Sequence, residues 1–260
     1  MFGRLAAGVL ALLTIAALGG PAEAQQQVQL VTRPGVSQSF WVVEPSEPPV
    51  ASVVLLVGGN GLVNRLPPVL QRGNFLSRSR DLFAAQGFLV AIPDVPSDQP
   101  SGLTGFRGSA DHATDLAAVI AWLRQKSPAP VWLIGTSLGT ISAANAAARL
   151  KTGGPDGLVL TSSIIVPSRR EGSVRASVDV STITLPTLFV HNREDACQLC
   201  PFDSIGVLIE GFTHAPRKEL LAFSGGDPPK SDPCEALSRH GYLGIEHEVV
   251  AGIGRWIKGG

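Results

Sequence analysis

Between an apolar run, Val131 to Ile134, and a stretch of small and helix-forming residues that starts at 139, the chain reads Gly135-Thr136-Ser137-Leu138-Gly139. A serine set between two glycines where a strand becomes a helix restricts the fold more than any other segment. The turn must be tight, the residue at its centre must take strained backbone angles, and its neighbours must be small. Such a turn lifts the Ser137 hydroxyl above a sheet edge. It also places it at a helix N-terminus, where free N–H groups and the helix dipole favour developing negative charge. The pattern G-x-S-x-G therefore points to a nucleophile. The plain alternative is a glycine-rich turn in which Ser137 caps a helix.

The rest of the chain repeats the same alternation. Short apolar runs at 39–44, 51–57, 88–94, 130–135, 156–163 and 185–192 read as strands, with a weaker one at 217–225. Segments 74–87, 109–127, the stretch after Ser137, and 244–259 carry helical spacing. Ser109 or Asp111 is the expected cap of the second helix, and Gly87 the expected end of the first. Continuous apolar strands mean burial on both faces. The expected fold class is therefore α/β, a predominantly parallel sheet flanked by helices on both faces. Strands 39–44 and 51–57 are separated only by a proline-rich turn, which predicts an antiparallel hairpin at the start of the sheet. Residues 164–184 leave room for a minimal lid or none. With 44% hydrophobic and 16% charged residues the chain can bury a sizeable core. Basic and acidic residues balance at 21 each, so there is no general attraction to nucleic acid or anionic membrane.

The first segment reads differently. Arg4 precedes an apolar run from Leu5 to Leu18; Gly19, Gly20 and Pro21 follow, then Ala22-Glu23-Ala24. A basic start, a short apolar core and small residues before a cleavage point describe an export signal peptide over 1–24. The run falls short of the ~20 apolar residues a spanning helix needs, which argues against a membrane anchor. A domain over 25–260 would then work in a secreted or periplasmic, oxidising setting, with no stable membrane insertion after cleavage.

A serine hydroxyl needs a base to become a nucleophile, and an imidazole suits neutral pH. On a parallel α/β sheet such triads run serine, acid, histidine along the chain. Five histidines are present: His112, His191, His214, His240 and His247. His240 is the expected base, because it follows the last strand and precedes the last helix. His247 reads as a surface residue between Glu246 and Glu248, His214 as a turn residue, and His112 as part of a helical first turn. Glu194 and Asp195 lie just past the strand 185–192. Asp195 is the chosen acid, with pairing of both to Arg193 as the bland alternative and Asp179 as an outside choice. An oxyanion hole needs two donors. The backbone N–H of Leu138 is one, and the loop Gly58-Gly59-Asn60-Gly61 supplies the other, taken as Asn60 with Gly59 as the near alternative.

With "VVLLVGGNG", "GTSLG", "REDAC" and "HGYLGIE" in this order, the chain resembles the α/β-hydrolase superfamily, and within it exported dienelactone-hydrolase-like proteins. The resemblance implies a serine hydrolase acting on a small-molecule ester without a cofactor. Dienelactone hydrolases proper use a cysteine nucleophile, so the serine points to ester hydrolysis. Peptidases, thioesterases and acyltransferases share the scaffold, and a non-catalytic binding protein is the reading from another class.

Three cysteines remain: Cys197, Cys200 and Cys234. A disulfide between Cys197 and Cys234 would tie the acid loop to the histidine loop. The rival is a Cys197–Cys200 pair, and a metal site lacks a good fourth ligand. Arg78, Arg80 and Arg107 lie in segments bordering the expected cleft. They are expected to pair with Asp81, Asp94 or Asp111, and one could instead hold a substrate carboxylate.

Overall fold

The computed structural model describes residues 25–63, 73–168 and 171–259. The expected signal peptide, 1–24, lies outside the described residues. The chain opens with β1 (Gln25–Arg33) and β2 (Val36–Val43), followed by β3 (Ala51–Leu56). Two short helices, α1 (Phe75–Arg78) and α2 (Arg80–Ala85), lead into β4 (Phe88–Pro93). Then come α3 (Ala110–Lys126), β5 (Val131–Thr136), α4 (Gly139–Arg149) and β6 (Gly157–Thr161). Helix α5 (Val174–Ser177) precedes β7 (Thr187–Asn192), and α6 (Ile205–Gly211) precedes β8 (Lys218–Phe223). Helix α7 (Glu246–Ile257) follows the last strand.

One eight-stranded sheet has the order β1-β2-β4-β3-β5-β6-β7-β8. Its strands from β4 through β8 run parallel, and β1 and β2 are antiparallel to their neighbours. Side chains alternate across it as the two-residue strand period requires. Val54, Leu56, Leu133, Leu158 and Leu160 face one apolar layer that also takes Leu116, Ile120 and Leu123 from α3. Val53, Leu55, Ile134 and Val159 face the other, with Phe83 from α2 and Val249, Ile253 and Trp256 from α7. Helices therefore cover both faces, as the uninterrupted apolar runs require.

The expected hairpin is displaced. β2 pairs with β1 and β4, not with β3. The hairpin partner is β1, whose sequence QQQVQLVTR carries no apolar run because it is an edge strand with an exposed side; Val31 is 81% exposed. Arg33 at its end ties it to the body of the fold, with Nη2 at 2.9 Å from the buried Asp115 carboxylate of α3. The helix expected over 74–87 breaks at Ser79 into α1 and α2, and Gly87, at φ +87°, turns the chain into β4. Between β6 and β7 the described residues hold only α5 and a 3-10 turn at Val180–Thr182, so no large lid sits there among them. No described helix is long and apolar enough to cross a membrane.

Candidate active site

Ser137 sits between β5 and α4 at φ +53°, a left-handed backbone that non-glycine residues seldom adopt. Backbone holds it there: its N–H donates to the Thr161 carbonyl (3.0 Å), and its own carbonyl accepts from the Thr140 N–H (2.9 Å) and hydroxyl (2.6 Å). Both flanking glycines are required by space. A Cβ on Gly139 would lie 2.0 Å from the Leu56 carbonyl oxygen, and one on Gly135 would lie 2.5 Å from that of Gly139. A third glycine, Gly58, abuts the serine from the next strand's loop; its Cβ would meet the Ser137 Cβ at 2.9 Å.

Asp195 and His240, 45 positions apart, meet each other, and His240 borders the cleft that Ser137 also lines, without a hydrogen bond between its Nε2 and the Ser137 hydroxyl. Asp195 follows β7, and His240 lies in a 3-10 turn (Arg239–Gly241) whose preceding Ser238 hydroxyl accepts from the His240 N–H at 3.2 Å. His240 Nδ1 stands 2.8 Å from Asp195 Oδ2, and both side chains are buried. The other carboxylate oxygen accepts the Cys197 N–H at 2.9 Å. Burial opposes the charged form of Asp195, but hydrogen bonds from His191, His240 and the Cys197 backbone outweigh it and hold its pKa below the ordinary carboxylate value. With Nδ1 engaged, His240 Nε2 has no protein partner among the described residues. His240, Ser137 and Asn60 border one open cleft of about 340 Å³. Leu62, Phe75 and Glu235 also face it.

In the loop after β3, Gly61 N–H closes a turn onto the Gly58 carbonyl at 3.1 Å, and Gly59 takes φ +57°. The Asn60 side chain turns inward on its own loop, accepting the Leu62 N–H at 3.2 Å. This leaves the backbone N–H groups of Gly59 and Asn60, like that of Leu138, without a protein acceptor among the described residues.

The cysteine pairing follows the favoured reading. Cys197 and Cys234 form a disulfide, Cys200 is free and buried, and burial pushes its thiol pKa up. Ligand atoms of Cys197, Cys200 and His240 lie within 4.8 Å of one another. That set does not suit a metal, since the Cys197 sulfur is committed to the disulfide and His240 Nδ1 to Asp195.

The three arginines do not border the cleft. Arg80 pairs with Asp81 (3.4 Å), as expected. Arg78 binds Glu246 at 2.9 Å and the Gly241 carbonyl, not an aspartate, and so braces the histidine loop against α7. Arg107 is buried and binds backbone carbonyls of the loop after β3. Among the other histidines, His247 and His214 lie away from the cleft, His247 being exposed. His112 is buried, with its pKa pushed down to about 3 by desolvation and by the charges of Arg107 and Arg33.

Sequence reasoning missed two residues that shape the site. His191 Nε2 approaches the Cys200 carbonyl (2.9 Å) and Asp195 Oδ2 (3.5 Å), making it a second imidazole against the same carboxylate. Tyr242 has φ +58°; its buried hydroxyl donates to the Val190 carbonyl (2.9 Å) and accepts the Ser162 N–H (3.1 Å). Tyr242 is the chain's only tyrosine, two residues after His240, which is the one signal that could have drawn attention to it.

No family model matches the sequence, and no curated protein matches it. Solved structures do. The Pyrococcus furiosus esterase Pf2001 superposes with a TM-score of 0.65 at 16% identity, covering 91% of each chain. A cold-adapted esterase from an Arctic intertidal metagenomic library gives 0.63 at 15% identity, over 90% of this chain and 93% of its own. XC6422 from Xanthomonas campestris, described as an α/β serine hydrolase without lid, gives 0.60 at 16% identity, over 92% and 94%. At these identities the likeness is one of fold.

Proposed function

On the α/β-hydrolase fold that this chain shares with those proteins, we propose that it is a serine hydrolase that cleaves small carboxylic esters. One observation carries the reading: a buried imidazole, anchored through Nδ1 by Asp195, keeps its other nitrogen unpaired in the cleft that also holds Ser137 on its strained turn. Ser137 Oγ adds to the ester carbonyl as its proton passes to His240 Nε2. The carbonyl oxygen becomes an oxyanion held by the N–H groups of Leu138 and Asn60. Collapse breaks the bond to the leaving oxygen, which takes the proton from His240 and departs as the alcohol. Water then attacks the acyl-enzyme by the same route and releases the acid, restoring Ser137 and His240. Asp195 fixes the imidazole tautomer and stabilises the imidazolium.

Esterases and serine hydrolases among the structural neighbours support this class of chemistry. The open cleft and the short segment between β6 and β7 favour small esters needing no interfacial activation. Within the dienelactone-hydrolase-like subtype, a serine at the turn favours simple esters over dienelactones. Export through residues 1–24 is part of the same reading, supported by the signal-like sequence and by the disulfide, a bond kept in oxidising compartments. Purified protein should turn over p-nitrophenyl acetate and take up a fluorophosphonate probe. Ser137→Ala should lose both while keeping its circular dichroism and melting temperature. Undiminished turnover in folded Ser137→Ala overturns the assignment.

A further inference from the structure

Arg107 is an uncommon object. It is 1% exposed, yet no carboxylate lies within ion-pair distance of it among the described residues. Burying an unpaired cation is expensive, so it persists only where its hydrogen bonds are of use. Those bonds go to few places. Nη1 donates to the Ser142 hydroxyl of α4 at 2.9 Å, Nη2 donates to the Gly59 carbonyl at 2.9 Å and reaches the Gly58 carbonyl at 3.5 Å, and Nε has no partner. Burial pushes its pKa down to about 10, against the opposing charge of Glu171, so it is a cation at neutral pH.

Both carbonyls that Arg107 holds belong to the peptides that carry the candidate oxyanion donors. The Gly59 carbonyl shares its peptide with the Asn60 N–H, and the Gly58 carbonyl shares its peptide with the Gly59 N–H. No peptide bond in the described chain is cis. In a trans peptide the C=O and N–H point in opposite directions. Pulling the Gly59 oxygen inward onto the guanidinium therefore turns the Asn60 N–H outward, on the side where Asn60 borders the cleft. A charged donor on the oxygen also draws electron density through the amide and makes its N–H a stronger donor. Ser142 fixes the guanidinium from the nucleophile's own helix, so one side chain couples α4 to the loop after β3.

We propose that Arg107 is a positioning residue for the oxyanion hole, orienting and polarising the Gly58-Gly59-Asn60 peptides from behind. The proposal rests on the serine-hydrolase reading above. It adds a buried positive charge to the oxyanion's surroundings without contact with substrate, and it holds whether Asn60 or Gly59 provides the donor.

The test compares Arg107→Met and Arg107→Lys with the unaltered protein, measuring kcat and KM for p-nitrophenyl acetate. Alongside runs the inhibition constant of 1,1,1-trifluoro-2-butanone, whose hemiketal with Ser137 carries the same oxyanion. Direct loss of an oxyanion donor costs ~10²–10³ in rate. Loss of its support through a peptide is expected to lower kcat by roughly 10–100-fold in Arg107→Met, with KM moved less than about threefold. Inhibitor affinity should weaken by a similar factor, and Arg107→Lys should restore part of both. A purely structural arginine would lower the melting temperature and leave the inhibitor constant of the folded fraction unchanged; that result overturns the proposal. Should Arg107→Met fail to fold, the lysine variant decides. An ammonium cannot bridge Ser142 and both carbonyls, so kcat and inhibitor affinity must fall together, and unchanged values overturn the proposal. An unaltered protein inert to ester and fluorophosphonate alike would instead sink the hydrolase reading, and this inference with it.

Discussion

His240 Nδ1 lies 2.8 Å from Asp195 Oδ2, and that carboxylate is in turn fixed by the Cys197 N–H and approached by His191. An aspartate so held cannot rotate away, so the imidazole keeps one orientation and one tautomer. Asp195→Asn preserves the shape but offers an amide where a carboxylate stood. It should lower kcat by roughly 10³–10⁴-fold with KM little changed, read from steady-state kinetics on p-nitrophenyl acetate.

The same carboxylate makes a second, independent prediction about acid. Its folded pKa is depressed, so its contribution to stability is complete above the unfolded value of ~3.9 and is lost as pH falls through the folded one. Melting temperatures taken from pH 7 down to pH 3 should fall more steeply in the unaltered protein than in Asp195→Asn, which has no proton to gain. Other carboxylates act equally in both proteins, so parallel curves would show that the Asp195 pKa is not depressed on folding.

Two glycines beside Ser137 should respond differently to alanine. At Gly139 the new methyl would face the Leu56 carbonyl at 2.0 Å, backbone against backbone, with α4 pressed onto β3. Gly139→Ala should not yield folded protein. At Gly58 the methyl meets the Ser137 Cβ at 2.9 Å and the Thr136 carbonyl at 3.0 Å, far milder approaches than at Gly139, which a shift of a few tenths of an ångström in the turn around Ser137 relieves. Gly58→Ala should therefore fold, with a cooperative melt, and lose about 10²-fold in kcat because Ser137, the proposed nucleophile, is misplaced. Equal stability losses in the two variants would contradict this.

These glycines also show where the sequence is legible and where it is not. The turn around Ser137 could be read because its spatial demands fall on residues within two positions of it. That Asp195 and His240 come together could be read because each follows a strand, in the chain order the resemblance implies. The alternating β/α runs gave the parallel sheet for the same local reason. Edge strand β1 could not be read, since a strand with an exposed side carries no apolar run. Nor could the parts played by His191 and Arg107. A histidine within a buried strand and an arginine in a loop announce nothing until the fold brings Asp195 to one and the Gly59 carbonyl to the other. The displaced hairpin has the same origin, because pairing partners depend on the crossover that puts β4 between β2 and β3.

Cys197 follows Asp195 by two residues, and Cys234 borders the cleft beside Glu235. Their bond closes a loop of 37 positions, for which chain entropy gives about 3–4 kcal/mol. Replacing both by serine should lower the melting temperature by roughly 7–14 °C for a chain of this size. Because the same bond holds one wall of the cleft to the acid loop, kcat/KM should fall as well, even well below the melting transition. Calorimetry and kinetics on the double variant check the two effects separately.

Tyr242 offers a subtler test of how the histidine loop is held. Its hydroxyl satisfies the Val190 carbonyl at the end of β7 and the Ser162 N–H beyond β6, and the Ser162 hydroxyl stands within reach of it at 3.0 Å and of the His240 carbonyl at 2.8 Å. Tyr242→Phe keeps the ring that packs on Phe75 but leaves a buried carbonyl and a buried N–H without this partner. The Ser162 N–H also donates directly to the Val190 carbonyl at 2.9 Å, so neither group is orphaned, and the expected loss is that of the hydroxyl's own hydrogen bonds, about 1–2 kcal/mol in unfolding free energy. The tyrosine adopts a left-handed backbone at φ +58°, a conformation maintained against its intrinsic cost by these contacts. Releasing them lets residues 240–242 relax, and the imidazole shifts with its backbone. The variant should therefore show a several-fold drop in kcat at a temperature where it is fully folded. Denaturant unfolding and kinetics measured on one preparation decide the matter: lost stability with full kcat would mean that Arg78 and the Asp195 contact alone fix His240.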